Sequence, residues 1–267
     1  MNTISYMTAN FVARQVGYHM TEGWMQGDGA TQAHFKPIET FAPRFEEYVQ
    51  EVQRCGYSAI DLWLAILHPD WATEAHINAA NAVLSRYQMP VVSLAGWFGG
   101  TPAEFEANCK LAKAFNCTIL GGNTGLLQSD RPALIGLLKQ YELKLGFENH
   151  PEKTPEEALA KIGTDSGGVI GTALDTGWYG TNGYDAADAI YALRDHLVHV
   201  HLKDVKEPGG HETCRFGAGC VPVQRCVEVL KQIGYSGPIS VEHEPEHFDP
   251  AEDMIANLAY LKEWLTA

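Results

Sequence analysis

Runs rich in β-branched and aromatic residues recur along the chain, and stretches of helical periodicity separate them. There are eight such runs, at 11–18, 59–67, 91–97, 118–121, 144–149, 169–175, 197–202 and 238–242. Between two of them, Phe41, Phe45, Tyr48, Val49 and Val52 form one apolar stripe. Met254, Ile255, Leu258, Leu261 and Trp264 form another near the end of the chain. Thr101-Pro102-Ala103-Glu104 and Thr154-Pro155-Glu156-Glu157 read as helix starts, with a capping hydroxyl, proline in the first turn and a glutamate to close the box. Asp249-Pro250-Ala251-Glu252 is a third start signal. Gly56 and Gly234 sit where helices should exit.

Strand–helix alternation predicts a parallel sheet. Eight units in 267 residues predict an α/β fold of the (β/α)8 TIM barrel type, one domain over 1–267. An open doubly wound sheet is the alternative, but no glycine-rich dinucleotide fingerprint follows the first run. Residues 19–36 carry Gly23, Trp24, Met25, Gly27 and Gly29 without helical periodicity. They are expected to form a long loop, either a lid over the active face or a surface excursion.

The late strands are polar where a buried strand should be apolar, and burying an unpaired charge is costly. Side chains alternate faces along a strand. In Leu197-Val198-His199-Val200-His201-Leu202-Lys203-Asp204, the valines and Leu202 share one face, and His199, His201 and Lys203 share the other. The same count turns Glu148, Asp175, and Ser240, Glu242 and Glu244 inward. Three carboxylates and one imidazole therefore converge at the strand ends that carry function in barrels, with no arginine in those strands to neutralise them. Such a set calls for a cation. Oxygen ligands with one imidazole suit one Mn2+ or Mg2+ ion, with Zn2+, Co2+ and Fe2+ as further options. His199, two residues deeper, reads as a core hydrogen-bonding histidine. Lys203 either neutralises a substrate oxygen or pairs with Glu242 or Glu244.

The formal charge is −14, which repels phosphate backbones and argues against nucleic acid as a partner. No apolar run is long enough for a membrane span, and Met1 to Asn10 lacks the pattern of a secretory signal. Cys55, Cys109, Cys117, Cys214, Cys220 and Cys226 form no C-x-x-C pair, so free thiols in a reducing cytoplasm are expected. A homo-oligomer is compatible with all of this.

Phe147-Glu148-Asn149, Leu174-Asp175-Thr176, the strand from His199 to Asp204, Val241-Glu242-His243-Glu244 and the Gly217-Ala218-Gly219 turn after Arg215 together resemble the xylose-isomerase-like barrel superfamily. That superfamily holds sugar and sugar-phosphate isomerases and epimerases, with inosose dehydratases and type-IV apurinic endonucleases as relatives. The resemblance spans the barrel, and its specific motifs lie in 147–244. It implies Glu148, Asp175, His201 and Glu242 as metal ligands, the two glutamates as proton carriers on opposite substrate faces, and Arg215 as a substrate contact. His150, Lys203 and Trp178 are further expected substrate contacts. Trp178 stands where endonucleases and many ketose epimerases have a histidine, which argues for a single metal and for a different substrate pose. The chemistry implied is isomerisation or epimerisation of a sugar or ketosugar through an enediolate. Dehydration of a keto-sugar or keto-inositol is the alternative. Nuclease action on abasic sites and a non-catalytic barrel rank below these.

Overall fold

The computed structural model describes residues 2–267. Eight parallel strands close into a barrel: β1 (Ile4–Met7), β2 (Ile60–Trp63), β3 (Val91–Trp97), β4 (Ile119–Asn123), β5 (Lys144–Glu148), β6 (Ile170–Asp175), β7 (Leu197–Leu202) and, after a short antiparallel pair, β10 (Ile239–Val241). The intervening pair is β8 (Asp204–Val205) and β9 (Thr213–Cys214). Each strand neighbours the next in sequence, and β10 returns to pair with β1, Ser5 opposite Ser240. Closure rules out the doubly wound alternative.

Helices surround the barrel: α1 (Trp24–Phe35), α2 (Ile38–Arg54), α3 (Glu74–Tyr87), α4 (Pro102–Ala114), α5 (Leu126–Ser129), α6 (Arg131–Gln140), α7 (Pro155–Ile162), α8 (Thr176–Thr181), α9 (Ala186–Ala192), α10 (Val223–Gln232) and α11 (Ala251–Thr266). All three start signals lie at helix starts, but of the three only Thr101 forms the full box: Glu157 accepts the Lys153 N–H instead, and Pro250, not Asp249, is the cap residue of α11. Thr101 Oγ1 accepts the Glu104 N–H at 3.3 Å while Glu104 accepts the Thr101 N–H at 3.0 Å. Thr154 caps α7, and Asp249 accepts the Ala251 N–H at 2.9 Å. The stripe of α2 is fully buried against the barrel. Among the described residues no helix is long and apolar enough to cross a membrane. All six cysteines are free, and five of them are buried.

Two expectations fail, both near the N-terminus. The first strand is Ile4–Met7, not 11–18. Residues 8–11 and 14–16 form 3-10 turns, and Gly17 and Tyr18 take left-handed φ of 65° and 57°, which no strand accommodates. The expected loop at 19–36 is largely helix α1. Its buried residues are Gly27, Thr31 and Phe35, a true helical spacing carried by only one large apolar side chain. Gly27 is small for a reason: a Cβ there would lie 2.4 Å from the Val12 carbonyl oxygen.

Candidate metal and active site

Glu148 and Asp175 end their strands, His201 lies near the end of β7, and Glu242 follows β10 directly. One donor atom from each lies within 4.8 Å of the others. His201 Nδ1 is 3.1 Å from Glu148 Oε1 and 3.0 Å from Glu242 Oε2. Lys203 Nζ is 2.7 Å from Glu242 Oε1, 3.1 Å from Asp175 Oδ2 and 3.2 Å from Glu244 Oε2. Of the two sequence readings of Lys203, pairing with the glutamates is therefore realised. Gly177 leaves room for its stem, since a Cβ there would meet Lys203 Cδ at 2.6 Å.

The carboxylates are held from behind. Asp175 Oδ1 accepts the Gly177 and Trp178 N–H groups at 2.6 and 3.1 Å. The Asn149 side chain accepts the Asp175 N–H at 2.8 Å and donates to its carbonyl at 3.0 Å. Asp175 Oδ2 and Glu242 Oε2 are buried, and their partners are the ion-pair contacts to Lys203 and His201. Asp175, Glu242 and Glu244 face one fixed cation, Lys203, while Glu148 faces His201. Buried carboxylate oxygens beside an imidazole nitrogen, with negative charge in excess, are the donor set a divalent ion takes.

The electrostatics follow from this crowding. Burial pushes Asp175 up to about 6, with Lys203 pulling against it and Glu242 and Glu148 adding to it. Burial likewise raises Glu244 to about 7. Burial opposes the charge on Glu242 too, but Lys203 and His201 hold that carboxyl well below its ordinary range. His201 and Lys203 lose by burial, yet their carboxylate neighbours raise both well above ordinary values.

The other expected residues are placed differently. Trp178 stacks with two histidine rings, His150 at 4.0 Å and His211 at 3.7 Å between centroids, both nearly parallel to it. Arg215 is 43% exposed and pairs with Asp253, at 2.7 Å from Nε; it does not join the cluster. His199 lies beneath His201 as a core hydrogen-bonding residue, 2.9 Å from Asp61 Oδ2.

Two residues escaped the sequence reading. Asp61 is fully buried in β2 and contacts both histidines of β7. Its signal was present, as the one acid within the apolar run 59–67. His211 sits in the β8–β9 connection, with Nδ1 2.7 Å from Thr181 Oγ1. Burial and nearby Lys203 push it down to about 3. Nothing in its sequence context separates it from an exposed loop histidine.

The family described as xylose isomerase-like TIM barrel matches residues 49–264. An L-ribulose-5-phosphate 3-epimerase of Escherichia coli O1:K1 is 44% identical over 72 residues, which is 27% of this chain and 24% of that protein. The match thus covers about a quarter of the curated relative's length. The 3-keto-D-glucoside 4-epimerase of E. coli superposes with a TM-score of 0.69 at 15% identity, covering 98% of this chain and 100% of that one. The IOLI protein with a bound zinc atom gives a TM-score of 0.70 at 15% identity, covering 99% and 98%. At these identities the two structures attest the fold.

Proposed function

Since the chain belongs to the xylose isomerase-like TIM barrel family, we propose that it is a divalent-metal-dependent isomerase or epimerase of a sugar or ketosugar, working through an enediolate. The observation that carries this reading is the pair Glu148 and Glu242, both within 3.1 Å of one imidazole nitrogen. Related proteins with sugar epimerase activity support it.

Glu148, Asp175, His201 and Glu242 would hold the ion, Mn2+ or Mg2+ by donor type. When bound, it supplies Lewis-acid stabilisation of negative charge developing on the substrate carbonyl oxygen. The protein's own groups move the proton. One glutamate takes it from the carbon next to the carbonyl, breaking the C–H bond and leaving the electron pair as the enediolate. The other glutamate returns a proton to the opposite face of that carbon, which inverts it. Return to the former carbonyl carbon, with the hydroxyl proton passing from one oxygen of the enediolate to the other, gives the aldose–ketose isomer instead. Lys203, held among Asp175, Glu242 and Glu244, fixes the orientation of Glu242.

The test is solvent deuterium incorporation into a panel of ketopentoses and ketohexoses, free and phosphorylated, with Mn2+-loaded protein. Glu148→Gln and Glu242→Gln are each expected to lower exchange by about 10²–10⁴-fold. Chelation should abolish exchange, and added Mn2+ should restore it. Undiminished exchange in both variants sinks the proton-carrier role. Product mass separates this chemistry from dehydration, since epimers keep the mass of the substrate and elimination loses water.

A further inference from the structure

Below the carboxylate cluster, the barrel interior holds a second polar layer. Asp61 Oδ2 lies 2.9 Å from His199 Nε2, 3.0 Å from His201 Nε2 and 2.9 Å from Ser240 Oγ. An ionised carboxylate only accepts hydrogen bonds, so each of these three atoms carries a hydrogen toward it. His201 Nδ1 faces Glu148 and Glu242 in the same way, so without a metal it too carries a hydrogen. A divalent ion bound there takes the place of that proton and leaves a neutral imidazole with its hydrogen on Nε2.

We propose that Asp61 is a positioning residue, whose carboxylate fixes His201 in the Nε2–H tautomer so that Nδ1 offers its lone pair to the space among Glu148, Asp175 and Glu242. The proposal rests on the metal-site reading given above. Packing alone does not account for an acid at this place. Asp61 is fully buried, its neighbours in β2 are apolar, and its Oδ1 has no hydrogen-bond partner. All of its hydrogen bonding runs through the one oxygen that touches the β7 histidines. His199 braces the arrangement from below: its Nε2 contacts Asp61, Ser93 Oγ at 3.2 Å and Ser240 Oγ at 3.0 Å, and its ring stands edge-on to His201. A carboxylate behind a metal-bound histidine is a known means of setting tautomer, ring orientation and ligand basicity.

The same three residues, Asp61, His199 and His201, lie close enough to hold an ion of their own. That group offers one carboxylate, whereas the space above it offers three, so the upper group is the one suited to a divalent ion.

The experiment uses the whole chain loaded with Zn2+, chosen because it is diamagnetic. In 15N spectra of histidine-labelled protein, His201 should show a protonated Nε2 and a metal-bound Nδ1. An unprotonated or metal-bound Nε2 overturns the proposal. Equilibrium dialysis should find one Zn2+ per chain; two per chain, or none, also overturns it. Asp61→Ala should weaken Zn2+ binding about 10–100-fold and mix the His201 tautomers. Asp61→Asn keeps an acceptor oxygen and should retain most of the affinity. An Asp61→Ala protein that melts cooperatively and binds Zn2+ like the parent contradicts the proposal. If that variant does not fold, the parent's 15N spectrum and the Asn variant still decide. None of these readouts depends on a sugar, so Zn2+ bound as described without any sugar exchange would reject the epimerase reading and leave this one standing.

Discussion

Three carboxylates converge on Lys203. It is 2% exposed and stands among Asp175, Glu242 and Glu244. Removing one partner of a buried ion cluster leaves the others uncompensated, at a cost of about 3–5 kcal/mol. Lys203→Met should therefore lower the melting temperature of metal-free protein sharply, and millimolar Mn2+ should recover part of the loss by neutralising the same carboxylates. A variant that melts like the parent without metal would show that Lys203 does not balance the cluster. The lysine, its inward direction and the four candidate ligands were legible because alternation along a strand is a local rule. Asp61 stood out as a lone acid in an apolar run, but its meaning lies in His199, 138 positions away, and only barrel closure brings them together. Trp178 was legible as a departure from relatives but not in its consequence, because His150 and His211 reach it from separate connections.

At the level of elements, sequence reading succeeded where chemistry marks a boundary and failed where packing alone does. Capped helices and the strand from Leu197 to Leu202 sit where expected. β1 is four residues long, too short to show alternation, while the longer apolar stretch after it bends through left-handed residues. Helix α1 buries a glycine and a threonine, which no apolar pattern announces. The connection from β8 to α10 depends on a single acid. Asp204 accepts the N–H groups of Gly217, Gly219 and Val221 at 2.9, 3.1 and 3.0 Å. Each buried donor left without an acceptor costs about 1–3 kcal/mol. Asp204→Ala should destabilise the protein by several times that of an ordinary surface change, read as a shift in the urea midpoint. Faster hydrogen exchange at these three amides should accompany it. Unchanged exchange there would mean that the turn holds its shape without Asp204.

For the whole molecule, the titrating groups pull in opposite directions. Burial pushes His211 down to about 3 and His243 down to about 4. In the unfolded chain both take protons near pH 6.5. Below that pH the unfolded state binds protons first, so their contribution to stability is lost as pH falls toward 4. Asp175 and Glu244, raised to about 6 and about 7, have the opposite sign. The folded state keeps their protons after the unfolded state releases them, so stability declines as pH rises from about 4 to 7. Each proton is worth about 1.4 kcal/mol per pH unit in this range. In metal-free protein the two effects oppose each other. A cation that keeps Asp175 ionised removes part of the second. Calorimetric melting between pH 6.5 and 4.5 should thus fall more steeply for Mn2+-loaded protein than for metal-free protein, and parallel curves would contradict this account.

The seam between β1 and β10 has a consequence in time. Ser5 and Ser240 share a 2.7 Å hydrogen bond across 235 positions of chain. At ~5–20 residues per second, the ribosome needs about 10–50 s to make the second partner after the first. Throughout that interval the growing sheet has two unpaired edges, the kind of template on which other chains pair. The finished barrel has none. The nascent chain is therefore most exposed to aggregation just before its last strand emerges, and a chaperone that shields it until then protects the one step that local sequence cannot hasten.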